Sequence, residues 1–141
     1  MDLHQAVSFA KDRHQGVLVT LRRDGRPQLS NIVYVMADDG ATRISVTEDR
    51  AKTKNLRRDR RGCLYVAGDS FWQYVVLDGE AGLSAPAADP HDAVVDELVD
   101  LYRSIRGEDH PDWDDYRRAM VAERRVLLRL RPTSACGLLR S

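Results

Sequence analysis

The chain has 141 residues, enough for one domain around one core. Its composition, 43% hydrophobic and 31% charged, suits a folded globular protein, and its 22 basic and 22 acidic residues leave no net charge. That balance excludes bulk electrostatic attraction to nucleic acid or an anionic membrane, and no apolar run approaches the length that spans a bilayer.

Residues 3–14 read as a short amphipathic helix, with Leu3, Ala6, Val7 and Ala10 on one side. Val17 to Leu21 is a β-branched, apolar strand. Asp24-Gly25 then supplies the positive-φ position of a tight hairpin, and the return strand runs from Pro27 to Met36. Asp38-Asp39-Gly40 is a second turn and Thr42 to Thr47 a third strand. Arg50 to Asp59 reads as a short helix, capped by Thr47 or Asp49 and ended by Gly62. Cys63–Ala67 and Phe71–Leu77 read as strands, and Asp78-Gly79 as a third turn leading into Glu80–Ala85. Asp89-Pro90 marks a helix start, Val94, Leu98, Leu101 and Ile105 its apolar face, and Gly107 its stop. Trp113, Tyr116 and Met120 mark another helix, whose acidic first turn suits the positive end of the helix dipole. Arg125–Leu130 and Thr133–Leu139 read as two closing strands. Short antiparallel strands with helices outside give a mainly β, α+β fold: a small closed or split barrel that removes exposed edges, formed by residues 1–141 as a single domain.

The basic segment is the strongest chemical feature. Residues 50–61 hold Arg50, Lys52, Lys54, Arg57, Arg58, Arg60 and Arg61 against one acid, Asp59. A solvated helix face, a nucleic-acid surface and a phosphate or carboxylate site compete as readings. Geometry favours the last. Lys52 and Asn55 are three apart on a helix, and Arg50 precedes its N-terminus, where free backbone N–H groups point outward. Nucleic-acid binding would call for a basic surplus over the whole chain and an aromatic platform. On a strand, Gln28 and Ser30 face one side and Asn31 the other, as a solvent-facing row or as hydrogen-bonding groups for a ring cofactor. Trp72 and Tyr74 share a strand face, for packing, for a dimer interface or for stacking on a planar ligand.

Nucleotide-binding glycine motifs, the nucleophile elbow and the H-E-x-x-H zinc motif are absent, and His4, His14, His91 and His110 are scattered. No metal site is expected, and a reaction here would rely on a cofactor for its reactive atom. Cys63 and Cys136 sit in separate apolar runs and read as core packing. With no secretory signal pattern in Met1–Gln5, this suggests a reducing cytoplasm.

Three segments, Gly25-Arg26-Pro27-Gln28-Leu29-Ser30-Asn31, Arg50-Ala51-Lys52-Thr53-Lys54-Asn55-Leu56-Arg57-Arg58-Asp59 and Trp72-Gln73-Tyr74, resemble the pyridoxamine-5′-phosphate-oxidase-like split-barrel superfamily. More narrowly they resemble its actinobacterial branch of small coenzyme F420-dependent (deazaflavin) oxidoreductases. Leu101-Tyr102-Arg103 and Trp113-Asp114-Asp115-Tyr116-Arg117 also resemble that branch. The resemblance implies a homodimer of FMN-binding-type split barrels with cofactor sites at the subunit interface and a small organic substrate. It implies that Arg50, Lys52 and Asn55, with the backbone of Ala51 and Thr53, hold the cofactor's phosphate. Gln28, Ser30 and Asn31 would lie beside the ring, Thr47 would meet it from the barrel wall, and Trp72 and Tyr74 would approach from the partner subunit. The implied activity is hydride transfer from reduced coenzyme F420 to an unsaturated substrate. FMN-dependent chemistry, and a non-catalytic flavin or tetrapyrrole carrier, are the alternatives. Classical pyridoxamine oxidases carry an Arg-x-His motif near the C-terminus; Arg131–Gly137 contains no His, so vitamin B6 oxidation is not expected.

Overall fold

A computed structural model describes residues 1–139. In chain order the elements are α1 (Leu3–Lys11), β1 (Gln15–Leu21), β2 (Pro27–Val33), β3 (Val35–Met36), β4 (Thr42–Thr47), α2 (Ala51–Arg58), β5 (Arg61–Ala67), β6 (Tyr74–Leu83), α3 (Ala93–Arg106), α4 (Trp113–Ala122) and β7 (Arg125–Leu138). The strands form one antiparallel sheet of order β2-β1-β5-β6-β7-β4-β3. β2 and β3 occupy opposite edges of this sheet, yet only Tyr34 separates them in the chain. The sheet must therefore curl until its edges approach, which makes the expected α+β split barrel.

Tyr34 holds that crossing in place. It is fully buried, its hydroxyl donates to the Ala10 carbonyl at 2.6 Å, and its N–H donates to the His14 carbonyl at 2.8 Å. Burial pushes its phenol far above the usual range, so it stays a donor at every physiological pH. α1 is thereby fixed to the barrel, its start capped by Asp2, whose carboxylate accepts from the His4 N–H at 2.8 Å.

Alternation fills the interior. Leu18, Ile44, Val46, Leu64, Val66, Val75, Leu77, Val126, Leu128 and Leu130 point inward, with Leu56 of α2 entering the same core. On β7, Val126, Leu127 and Leu128 are all buried, which breaks the alternation. Val126 and Leu128 face the barrel, while Leu127 faces a second core with Val95, Leu98, Val99, Leu101 and Met120 of α3 and α4.

Several local expectations are corrected. Asp24-Gly25 and Asp39-Gly40 are turns, with Gly25 at φ +85° and Gly40 at φ +82°. Asp78-Gly79 is not a turn: it lies inside β6 at a bulge where Asp78 pairs with Ser134 and Gly79 with Pro132, leaving Thr133 as the extra residue. A Cβ on Gly79 would run into the Arg131 carbonyl oxygen. The two closing strands are therefore one strand bent at this bulge. β2 ends at Val33 rather than continuing to Met36, and α1 stops at Lys11. α3 begins at Ala93, capped by Asp92, whose carboxylate accepts from the Val95 N–H at 2.9 Å; Asp89 instead binds the His91 N–H at 2.8 Å in the preceding turn. Gly107 does end α3, at φ +70°. α2 ends at Asp59 in extended backbone, and Gly62 belongs to β5.

Candidate functional site

α2 starts without a side-chain cap. Arg50 is its N-cap residue, in extended backbone at φ −73° and ψ 149°, and neither Thr47 nor Asp49 caps the helix as expected. The first turn is closed by Thr53, whose hydroxyl donates to the Thr47 carbonyl at 2.7 Å, while the Thr53 and Lys54 N–H groups both donate to the Arg50 carbonyl at 3.1 Å. Among the described residues the N–H groups of Ala51 and Lys52 find no partner. These are donors a helix start offers to an anion. Beside them the Thr47 hydroxyl oxygen is buried and unpartnered.

The electrostatics point the same way. Lys52 is half-buried, and its ammonium is held below its ordinary pKa first by that burial, then by Arg50 and Arg125. Arg125 opens β7 and pairs directly across the ladder with Thr47. Thr47, Arg50, Ala51, Arg124 and Arg125 line a depression of about 720 Å³ together with two acids, Asp49 and Glu123. Asp49 stands close enough to the Thr47 hydroxyl for that contact, above its own backbone, to hold the carboxyl below the usual range, though no hydrogen bond of ordinary geometry joins them. Repelling cations, unpaired amides and an orphaned hydroxyl suit a phosphate-sized anion, so these residues fit the phosphate end of a cofactor.

Other side chains of α2 are already committed. Asn55 is buried, its amide nitrogen donating to the Thr20 hydroxyl at 3.0 Å and its amide oxygen accepting from Arg58 at 3.1 Å. Its side chain is thus held by Thr20 and Arg58. Arg57 is a bidentate partner of Glu48. A second groove, about 800 Å³, runs between α2 and the β1–β2 hairpin, lined by Arg22, Arg23, Asp24, Lys54 and Arg58.

The remaining predicted residues lie apart in a single chain. Gln28 and Ser30 are half-buried on one face of β2, with Gln28 accepting from Arg22 at 3.1 Å. Asn31 is on the opposite face and lines a third depression, about 740 Å³, with Gly16, Val17, Val33, Tyr65 and Gly68. Trp72 and Tyr74 do not share a strand face: Trp72 sits in the β5–β6 turn, 70% exposed and edge-on to Phe71, while Tyr74 opens β6 and stacks on Tyr65 at 5.6 Å. Neither cysteine is core. Both lie on the outer sheet face, where the Cys63 thiol donates to Asp78 at 2.9 Å; burial and that bond push it up to about 12. Sequence reasoning missed Arg125, because only the β4–β7 register carries it to α2.

The chain matches the pyridoxamine 5′-phosphate oxidase family over residues 3–135. It belongs to that family. Solved structures share the fold at low identity. A conserved hypothetical protein of Mycobacterium tuberculosis is 21% identical with a TM-score of 0.72, over 96% of this chain and 82% of that one. An F420 reductase is 22% identical with a TM-score of 0.63, over 92% and 94%. A pyridoxamine 5′-phosphate oxidase-related, FMN-binding protein of Nostoc punctiforme is 13% identical with a TM-score of 0.63, over 94% and 78%. The family contains oxidoreductases, and solved structures of the same fold include an F420 reductase and an FMN-binding protein. Among the described residues no helix is long and apolar enough to cross a membrane.

Proposed function

We propose that this protein is a coenzyme F420-dependent reductase that works as a homodimer and passes a hydride to a small unsaturated organic substrate. The observation that carries the reading is that Arg50 and Arg125 line one depression with the uncapped start of α2, with Lys52 near enough to feel both. Arg50, Lys52 and the Ala51 and Lys52 amides would hold the phosphate, and Thr47 the adjoining part of the cofactor. Asn55 and Thr53 serve the site from beneath: the first ties α2 to β1 and the second fixes its first turn. Gln28 and Ser30 on β2, with Asn31 behind them, are the polar groups available to a ring. The bound deazaflavin would supply the hydride; the chain's part is to orient, to exclude water and to hold charge.

The second copy completes this arrangement. The outer face of β2-β1-β5-β6-β7 carries Leu29, Val33, Val17, Tyr65, Val76 and Leu138, all half-buried or exposed, with Leu29 at 60% and Val33 at 48%. A contiguous apolar sheet face of this kind marks an interface. Its self-association would cover Asn31 and bring the exposed Phe71-Trp72 turn against the partner, joining residue groups that one chain keeps apart. FMN is the second reading, favoured by the FMN-binding relative of the same fold.

Titration of the purified protein with coenzyme F420 and with FMN, followed by ligand fluorescence, tests both. Lys52→Ala should weaken binding by about 1.5–3 kcal/mol, the size of a charge-assisted hydrogen bond. Tight FMN binding without F420 binding transfers the reading to FMN chemistry. Binding of neither refutes it.

A further inference from the structure

We infer that Arg125 is a further ligand of the cofactor's phosphate, presented from β7 and restrained by Glu123 in the absence of that anion. The inference rests on the phosphate site proposed at the start of α2, and adds a residue from a distant part of the chain. Arg125 faces Thr47 across the β4–β7 ladder, so both side chains leave the sheet on the same side. The turn that delivers it is rigidly held. Arg124 adopts φ +52°, a left-handed backbone that non-glycine residues rarely take, and its carbonyl accepts from the Glu48 N–H at 3.1 Å. α4 and β7 are thereby joined so that Arg125 projects beside α2 rather than into solvent; its side chain is 29% exposed.

The guanidinium is half used. Its Nε and Nη2 both donate to one oxygen of Glu123, at 3.0 and 2.8 Å, while Nη1 has no partner among the described residues. It also lies near enough to Lys52 to lower that ammonium's pKa, even with Glu123 on its fork. An anion between Arg50, Lys52 and Arg125 would relieve that repulsion. A guanidinium supplies paired, directed donors that fit phosphate oxygens, which a lysine does not. Glu123 occupies the Arg125 fork and competes with the ligand for it.

The test compares each cofactor with its phosphate-free counterpart: FMN with riboflavin, and coenzyme F420 with the deazaflavin lacking its phosphate. Dissociation constants are measured by fluorescence for the wild type, Arg125→Ala, Glu123→Gln and Lys52→Ala, with thermal melting to confirm folding. In the pair that the wild type binds, Arg125→Ala should cut the preference for the phosphate-bearing form about tenfold, leave the phosphate-free form unchanged, and Glu123→Gln should raise that preference at least about twofold. A structural role for Arg125 would move both forms together. If Lys52→Ala erodes the preference and Arg125→Ala does not, the role of Arg125 is wrong and the phosphate site stands. If neither variant erodes it, or the wild type shows no preference or binds nothing, the phosphate site falls and the Arg125 inference falls with it.

Discussion

Asn55→Ala separates a residue that touches the cofactor from one that builds the platform beneath it. Asn55 is 7% exposed and Thr20 fully buried, and the 3.0 Å bond between them is the buried polar link that fastens α2 to β1, beside the exposed bond from Arg58 to the Leu21 carbonyl. Removing the amide loses its buried hydrogen bond to Thr20, about 1 kcal/mol net, and leaves that hydroxyl without its partner, about 1 kcal/mol more; the second bond lost, from Arg58, adds little because that guanidinium keeps the Leu21 carbonyl and reaches solvent. The expected loss of stability is about 2 kcal/mol, which in a chain of this size lowers Tm by about 6–8 °C. Urea unfolding followed by tryptophan fluorescence should show a lower midpoint with an unchanged m-value. Thr20→Val removes the same link from the other side, so the double variant should cost less than the sum of the singles. Cofactor affinity, measured well below the new Tm, should move less than about threefold. A stability change below about 0.5 kcal/mol accompanied by a tenfold loss of cofactor binding would refute this reasoning and make Asn55 a direct ligand.

Three further expectations follow from the same geometry. Gly79→Ala places a Cβ against the Arg131 carbonyl at the β6–β7 bulge and should cost about 3 kcal/mol in urea unfolding, as overpacking does; a loss under about 1 kcal/mol would mean that the bulge is not formed as described. The Cys63 thiol, raised from its ordinary 9.0 to about 12 by burial and by Asp78, remains protonated through pH 10; alkylation mapped by mass spectrometry should accelerate only above that, and half-maximal reactivity near pH 9 would contradict it. Val17→Lys puts a charge in the middle of the apolar sheet face; sedimentation should show monomers with unchanged circular dichroism, and an unaltered dimer would remove that face as the interface.

Much of the architecture was readable because it is local. Period-two alternation in Thr42–Thr47 matched β4 residue for residue, and the helical face around Leu98 and Leu101 and the Gly107 stop all appear in α3. The Asp-Gly pairs show where local reading ends. Glycine at positions 25 and 40 is needed for positive φ, whereas at 79 it is needed because a neighbouring strand's carbonyl leaves no room for Cβ, and the dipeptide is the same in all three. Phe71 and Trp72 carry strand-like side chains, yet the β5–β6 ladder starts its pairing at Ala67 with Tyr74, leaving them in the turn. The two cysteines look like core residues in apolar runs, but pairing parity turned them to the outer face.

The candidate site divides along the same line. By itself the sequence determined that a basic helix start exists at Arg50–Lys52, because charge order and helix geometry are properties of adjacent residues. Only the tertiary structure decided which groups share its space. The β4–β7 register brought Arg125 beside Lys52, and the buried Thr20 engaged the Asn55 amide beneath α2. Those outcomes depend on which strands pair and in what register, a choice set by burial summed over the whole sheet.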